Sequence, residues 1–135
     1  MQTRHAVAVS LLAGMVLGAV SVQCLHAQAK RQVYTVNEAV TDLDLAAIEE
    51  YAKDYVPLVD ASIKAHGGKI LAESPNVFAP DGDPPKRLAI VLWDNMEQFQ
   101  AWYNSAEYRQ AREIGGKYAK FRLVAVKKLP QKSVE

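Results

Sequence analysis

Residues Arg87 to Trp93, RLAIVLW, constrain the fold more than any other part of the chain. After the arginine every residue is apolar, so the run has no polar face to offer to water. A half-exposed strand alternates apolar and polar residues, whereas an unbroken apolar run marks a strand buried on both faces. Arg87–Trp93 is therefore expected to be a central strand. Phe121–Val126 (FRLVAV) also carries apolar residues at both parities. A sheet built on two such strands needs a cover on each face. Helices of the same chain can cover one, and a second copy of the chain is the natural cover for the other.

The remaining elements follow from periodicity and punctuation. Gln32–Val40 (QVYTVNEAV) is rich in β-branched residues and reads as a strand. Thr41 to Asp44 offers capping oxygens for a helix. The set Leu45, Ile48, Ala52, Tyr55, Val59 and Ile63 then recurs at steps of three and four, which is one helical face. Pro57 interrupts that pattern, so a kink or break is expected near Val56. Gly67-Gly68 ends the helix, because glycine takes the left-handed conformation without penalty. Lys69–Glu73 is a short strand, and Val77–Ala79 is expected to resume its pairing. Asp81-Gly82-Asp83-Pro84-Pro85 is a turn-rich loop. Asp94 or Asn95 caps the next helix, with Glu97 or Gln98 completing a capping box. Ser105 caps a further helix from Ala106 to about Gly115.

The N-terminal segment reads as an address. Arg4 supplies a short basic region, and an uncharged apolar stretch of about 17 residues follows, from Ala6 to about Val22. It ends at Ala27-Gln28-Ala29, a small-x-small cleavage signal, so residues 1–29 read as a signal peptide and Lys30 as the first mature residue. The protein is expected to be exported, periplasmic or secreted, with no stable membrane anchor after cleavage. The chain's single cysteine, Cys24, leaves with this segment. So do Arg4, His5 and His26, leaving 15 basic against 15 acidic residues and one histidine, His66. Zero net charge gives no support for nucleic-acid binding. Thiol chemistry, disulfides and an HExxH zinc site are excluded for the mature chain. No metal site and no cofactor is assigned from the sequence. Residues 30–128 form one domain, and 129–135 a flexible polar tail.

The order βαββαβ is the split βαβ, ferredoxin-like pattern. The expected class is α+β, a four-stranded antiparallel sheet with helices on one face. Several local runs resemble the domain-of-unknown-function 1330 family. They are Glu50-Tyr51-Ala52-Lys53, His66-Gly67-Gly68, Pro85-Lys86-Arg87-Leu88, and Met96-Glu97 followed by Ala101-Trp102-Tyr103-Asn104-Ser105-Ala106-Glu107-Tyr108. They are spread from about Val33 to Val126. Ala106 stands where the family typically has proline. The resemblance implies a dimeric α+β barrel and no established reaction.

Candidate chemistry is sparse. His66 sits three residues beyond Ile63, at a helix C-terminus whose dipole favours its protonated form. It reads either as a general acid/base or as a helix-ending residue bonded to nearby carbonyls. Arg87 and Arg122 lie at or near strand starts. Each can point inward and hold an anion, or carry its charge to solvent along an apolar stem. Trp93, Trp102, Tyr103 and Tyr108 form either an apolar ligand wall or the packing between helix and sheet. Asp81 and Asp83 lack the rest of a calcium loop. The ligand-binding set is thus Arg87, Trp102, Tyr103, Tyr108 and Arg122, with His66 as the catalytic candidate. Three functions fit: a homodimeric binding protein for a small molecule, a cofactor-independent oxygenase or isomerase using His66, or a purely structural dimer.

Overall fold

The computed structural model describes residues 31–40 and 44–130. The leader read over residues 1–29 lies outside the described residues, as does most of the tail. Four strands form one antiparallel sheet: β1 (Val33–Ala39), β2 (Lys69–Ser74), β3 (Arg87–Trp93) and β4 (Phe121–Lys127), in the order β2-β3-β1-β4. Between β1 and β2 run α1 (Leu45–Glu50), a π-helical turn (Tyr51–Tyr55) and α2 (Val56–Ala65). Between β3 and β4 run α3 (Met96–Tyr103) and α4 (Ala106–Gly115). This is the ferredoxin-like arrangement expected from the order of elements.

β1 and β3 occupy the centre, in the register Val33↔Trp93, Thr35↔Val91, Val36↔Ile90 and Ala39↔Arg87. Because side chains alternate along a strand, odd-numbered residues of β1, β3 and β4 share one face. The helices pack on that face. Val33, Val91 and Trp93 meet Ile63, Phe99, Trp102 and Tyr108 in one core cluster. Ala39, Tyr51, Tyr55, Ala111 and Ala119 form a second. Each buried indole has an acceptor: Trp93 Nε1 donates to Thr35 Oγ1 at 3.0 Å, and Trp102 Nε1 donates to Ser62 Oγ at 2.9 Å. That is the condition for burying tryptophan without a polar penalty.

Helix ends follow the capping residues. Asp44 Oδ1 accepts from Ala47 N–H, Asn95 Oδ1 from Gln98 N–H, and Ser105 Oγ from Tyr108 N–H. Gln98 Oε1 accepts from the N–H of Asp94, one residue before the cap. α2 closes at Gly67, whose φ is 80°. Gly68 N–H then donates to Ile63 C=O and Gly67 N–H to Lys64 C=O, the paired bonds of a Schellman motif.

Two expectations are corrected. The helical face read as Ile48, Ala52 and Tyr55 is shifted at its start: Tyr51 is buried, while Ile48 and Ala52 are exposed. The cause is the π-helical turn. Pro57 has no N–H to give, and the Val56 N–H reaches back five residues to Tyr51 C=O. The wide turn adds about one residue, so the inward face upstream moves by one position. Val77–Ala79 does not resume pairing. Asn76 N–H bonds Ser74 Oγ instead, turning the chain at Pro75, and Phe78 is left exposed.

Candidate functional site

The helix-facing side of the sheet has polar residues where a plain core would have apolar ones. Asn37 on β1 and Arg87 on β3 project from it, and the register sets Asn37 beside Ala89 and Leu123. On the helices, Tyr108, Ala111, Arg112 and Gly115 fall at steps of three, one and three, so α4 brings Arg112 in with its buried stripe. The π-helical turn delivers Tyr51 and Tyr55 to the same place. Gly115 makes the approach feasible. A Cβ there would lie 2.5 Å from Tyr55 Cδ2 and 2.9 Å from Phe121.

These side chains surround a cavity of about 40 Å³, with Trp102, Asp60 and Glu73 on its walls. Arg112 stacks its guanidinium over Phe121, 4.5 Å from the ring centroid. Its Nη1 is buried and has no hydrogen-bond partner, and the same is true of Asn37 Oδ1. A buried donor or acceptor without a partner costs about 1–3 kcal/mol, more when charged. Arg87 is ion-paired with Glu73.

The titrating groups respond to this burial. Loss of solvation pushes the Tyr51 phenol up to about 12, and the Tyr55 and Tyr108 phenols upward too, although Arg112 pulls all three the other way. Every one of these phenols is therefore protonated and can donate at neutral pH. Burial also raises the Asp60 carboxyl, with Arg87 and Lys64 partly offsetting it. A raised carboxyl means the folded protein holds this proton more firmly than the unfolded chain. Stability from this group is greatest below the ordinary value of 3.8 and falls as pH rises through the raised value. Asp60→Asn removes that loss. It is expected to raise the melting temperature by about 2–4 °C at neutral pH, a modest gain because the group keeps part of its solvation. The gain should vanish below pH 3.8. Thermal scans of both proteins across that range check it, and an equal gain at every pH would show that the charge is not responsible.

The structure brings together some of the residues singled out in the sequence and separates others. Arg87, Trp102 and Tyr108 line the cavity. Arg122 borders it from β4, but alternation turns its side chain to the other sheet face. There Nη1 bonds Glu38 at 3.1 Å with two thirds of the side chain exposed. Tyr103 lies outside, 47% exposed, against the rings of Phe99 and Tyr108. His66 caps α2 and donates from Nδ1 to Ser62 C=O at 2.9 Å; it is not on the cavity wall. Asn37, Asp60 and Arg112 were not anticipated. Arg112 had a legible signal, a cation in register with the apolar stripe of an amphipathic helix. Among the described residues no group of three or more His, Cys, Asp or Glu side chains could hold a metal ion. No helix among them is long and apolar enough to cross a membrane.

Comparisons with known proteins agree with this architecture. The chain resembles an ethyl tert-butyl ether D family protein from Bacillus halodurans at 17% identity, over 73% of this chain and 99% of that one, with a TM-score of 0.58. A dimeric protein of unknown function with a ferredoxin-like fold, from Bacteroides fragilis, matches at 12% identity over 72% and 96%, TM-score 0.55. SnoaB, a cofactor-independent oxygenase from Streptomyces nogalater, matches at 13% identity over 78% and 99%, TM-score 0.51. At these identities the likeness is one of fold. No curated protein matches in sequence. The family model for the domain of unknown function DUF1330 matches residues 32–129, the whole of the sheet and its helices, and the chain belongs to that family.

Proposed function

We propose that this is an exported, homodimeric binding protein that takes the acidic head of a small organic molecule in the cavity between sheet and helices. One observation carries the reading. Arg112 Nη1 and Asn37 Oδ1 are both buried, both without a partner, and both belong to residues of the same cavity wall. A carboxylic or hydroxy acid supplies what they lack. Its oxygen accepts from the guanidinium, and its hydroxyl or acid proton meets the amide oxygen. Buried phenols of Tyr51, Tyr55 and Tyr108 add neutral donors around it. Export is supported by the basic start, apolar stretch and Ala27-Gln28-Ala29 of the leader. The dimer is supported by the apolar face that the sheet turns away from its helices, and one structural neighbour is described as dimeric.

A reaction in the same cavity is the second reading, favoured by Asp60. Its carboxyl lines the wall, and burial raises it above the ordinary carboxylate value, the direction that strengthens a carboxylate as a base. Within this reading Asp60, rather than His66, has access to a bound molecule.

Native mass spectrometry of the exported protein tests the binding reading. The expected species is a dimer of chains beginning at Lys30, carrying an added small mass. Arg112→Gln, which keeps the length of the side chain but not its charge, is expected to lose that mass. A bare dimer for both proteins, with no small acid shifting either on titration, would remove the binding reading.

A further inference from the structure

The inner cavity is too small for a whole organic molecule. Its 40 Å³ accommodates about three water-sized groups, the size of a carboxyl and little else. A second hollow of about 450 Å³ lies beside it, between the helical start of the α1 region and the loop from β2 to β3. That volume is in the range of ordinary small-molecule sites. The two hollows share three wall residues, Ala39, Tyr51 and Arg87, so one opens beside the other. Their chemistry divides. The inner one holds the unpaired Arg112 and Asn37. The outer one is walled mainly by Ile48, Ala52, Val77 and the three prolines Pro75, Pro84 and Pro85, with Lys86 at its edge as the one charged residue that the inner cavity does not share. Three prolines make that wall stiff, so little conformational freedom is lost when it is covered.

We infer that the outer hollow holds the apolar body of the ligand, whose acidic head passes Tyr51 and Arg87 into the inner cavity. The ligand class is then an amphipathic carboxylic or hydroxy acid with one acidic head and an apolar chain or flat ring, for which a hollow of this volume has room. Arg87 stands at the neck, and its pairing with Glu73 leaves Arg112 as the cation for the head. The π-helical turn makes the geometry. By shifting the inward face one position, it buries Tyr51 at the neck and leaves Ala52, a small residue, on the outer wall. This inference rests on the reading of the inner cavity as an acid-binding site.

Calorimetric titration with straight-chain acids from acetate to octanoate tests it. Affinity is expected to rise roughly three- to fourfold for each added methylene until the outer hollow is filled. Val77→Asp, a loop substitution away from the core clusters, should weaken octanoate binding by at least about tenfold by placing a charge beside the chain. Arg112→Gln should weaken every acid of the series. Binding that does not change with chain length overturns the outer site and leaves the inner one standing. Octanoate affinity that survives Arg112→Gln undiminished places the chains elsewhere on the protein, and also overturns it. No binding of any acid removes the inner reading together with this one.

Discussion

If the chain pairs sheet to sheet as proposed, Ile90→Asp is expected to leave it a folded monomer. The sheet has a second face, formed by the even-numbered residues, and the register lines up Ala72, Ile90, Val36 and Val124 in one row across all four strands. Leu92, Tyr34 and Val126 form the next row. None of these side chains belongs to the core clusters under the helices. Val124 and Val126 are 41% and 59% exposed. An exposed apolar surface of this kind is what the proposed sheet-to-sheet dimer would cover. Ile90 sits on a central strand, so an aspartate there would lie mid-interface, and two-fold symmetry would place it twice. A buried unpaired charge costs about 3–5 kcal/mol, so two weaken the dimer by about 10⁴-fold or more. The single chain tolerates the change, because Ile90 is only half-buried within it. Sedimentation and circular dichroism check the two halves of this expectation. Wild-type protein that sediments as a monomer at micromolar concentration would refute the sheet-to-sheet assembly.

Trp102→Ala is expected to cost about 3–5 kcal/mol of stability, lowering the melting temperature by roughly 15–30 °C. The ring is 1% exposed and touches three others: Trp93 with centroids 5.0 Å apart, Tyr108 at 4.0 Å and Phe99 at 6.1 Å. It joins β3, α3 and α4 into one packed layer and also forms part of the cavity wall. Truncation would leave a void that this dense ring cluster cannot collapse to fill. Trp102→Phe separates packing from hydrogen bonding. It keeps a ring but loses the indole N–H. Ser62 Oγ still donates to Val59 C=O, so no group is stranded, and the loss should be about 1–2 kcal/mol. Urea unfolding of the three proteins measures both steps. A loss below about 1 kcal/mol for the alanine variant would mean that this layer is not the core.

The fold was readable because its strongest signals are local. RLAIVLW forms a central strand over the bounds read from its composition. Asp44, Asn95 and Ser105 cap the helices that follow them, since a cap needs only a side-chain oxygen and the next turn of chain. The site was less readable because it depends on which way side chains face. Arg87 and Arg122 have the same look in the sequence, an arginine beside a hydrophobic strand. One strand register sends Arg87 to the cavity wall and the other sets Arg122 against Glu38. His66 is the one histidine among the described residues, and only the folded chain shows that its ring bonds the carbonyl of Ser62 in the helix it ends.

By itself the sequence determined the order of elements, the places where helices start and stop, and the excess of apolar residues that asks for two covered sheet faces. Each of these rests on interactions a few residues long or on a simple count. Only the tertiary structure decided that Asn37 and Arg112, 75 residues apart, are buried without partners on one cavity wall. It alone decided that the π-helical turn before Pro57 exchanges Ala52 for Tyr51 on the inward face. Both depend on where a backbone ends up after packing. A burial penalty exists only once other parts of the chain have displaced the water, and no local pattern records that.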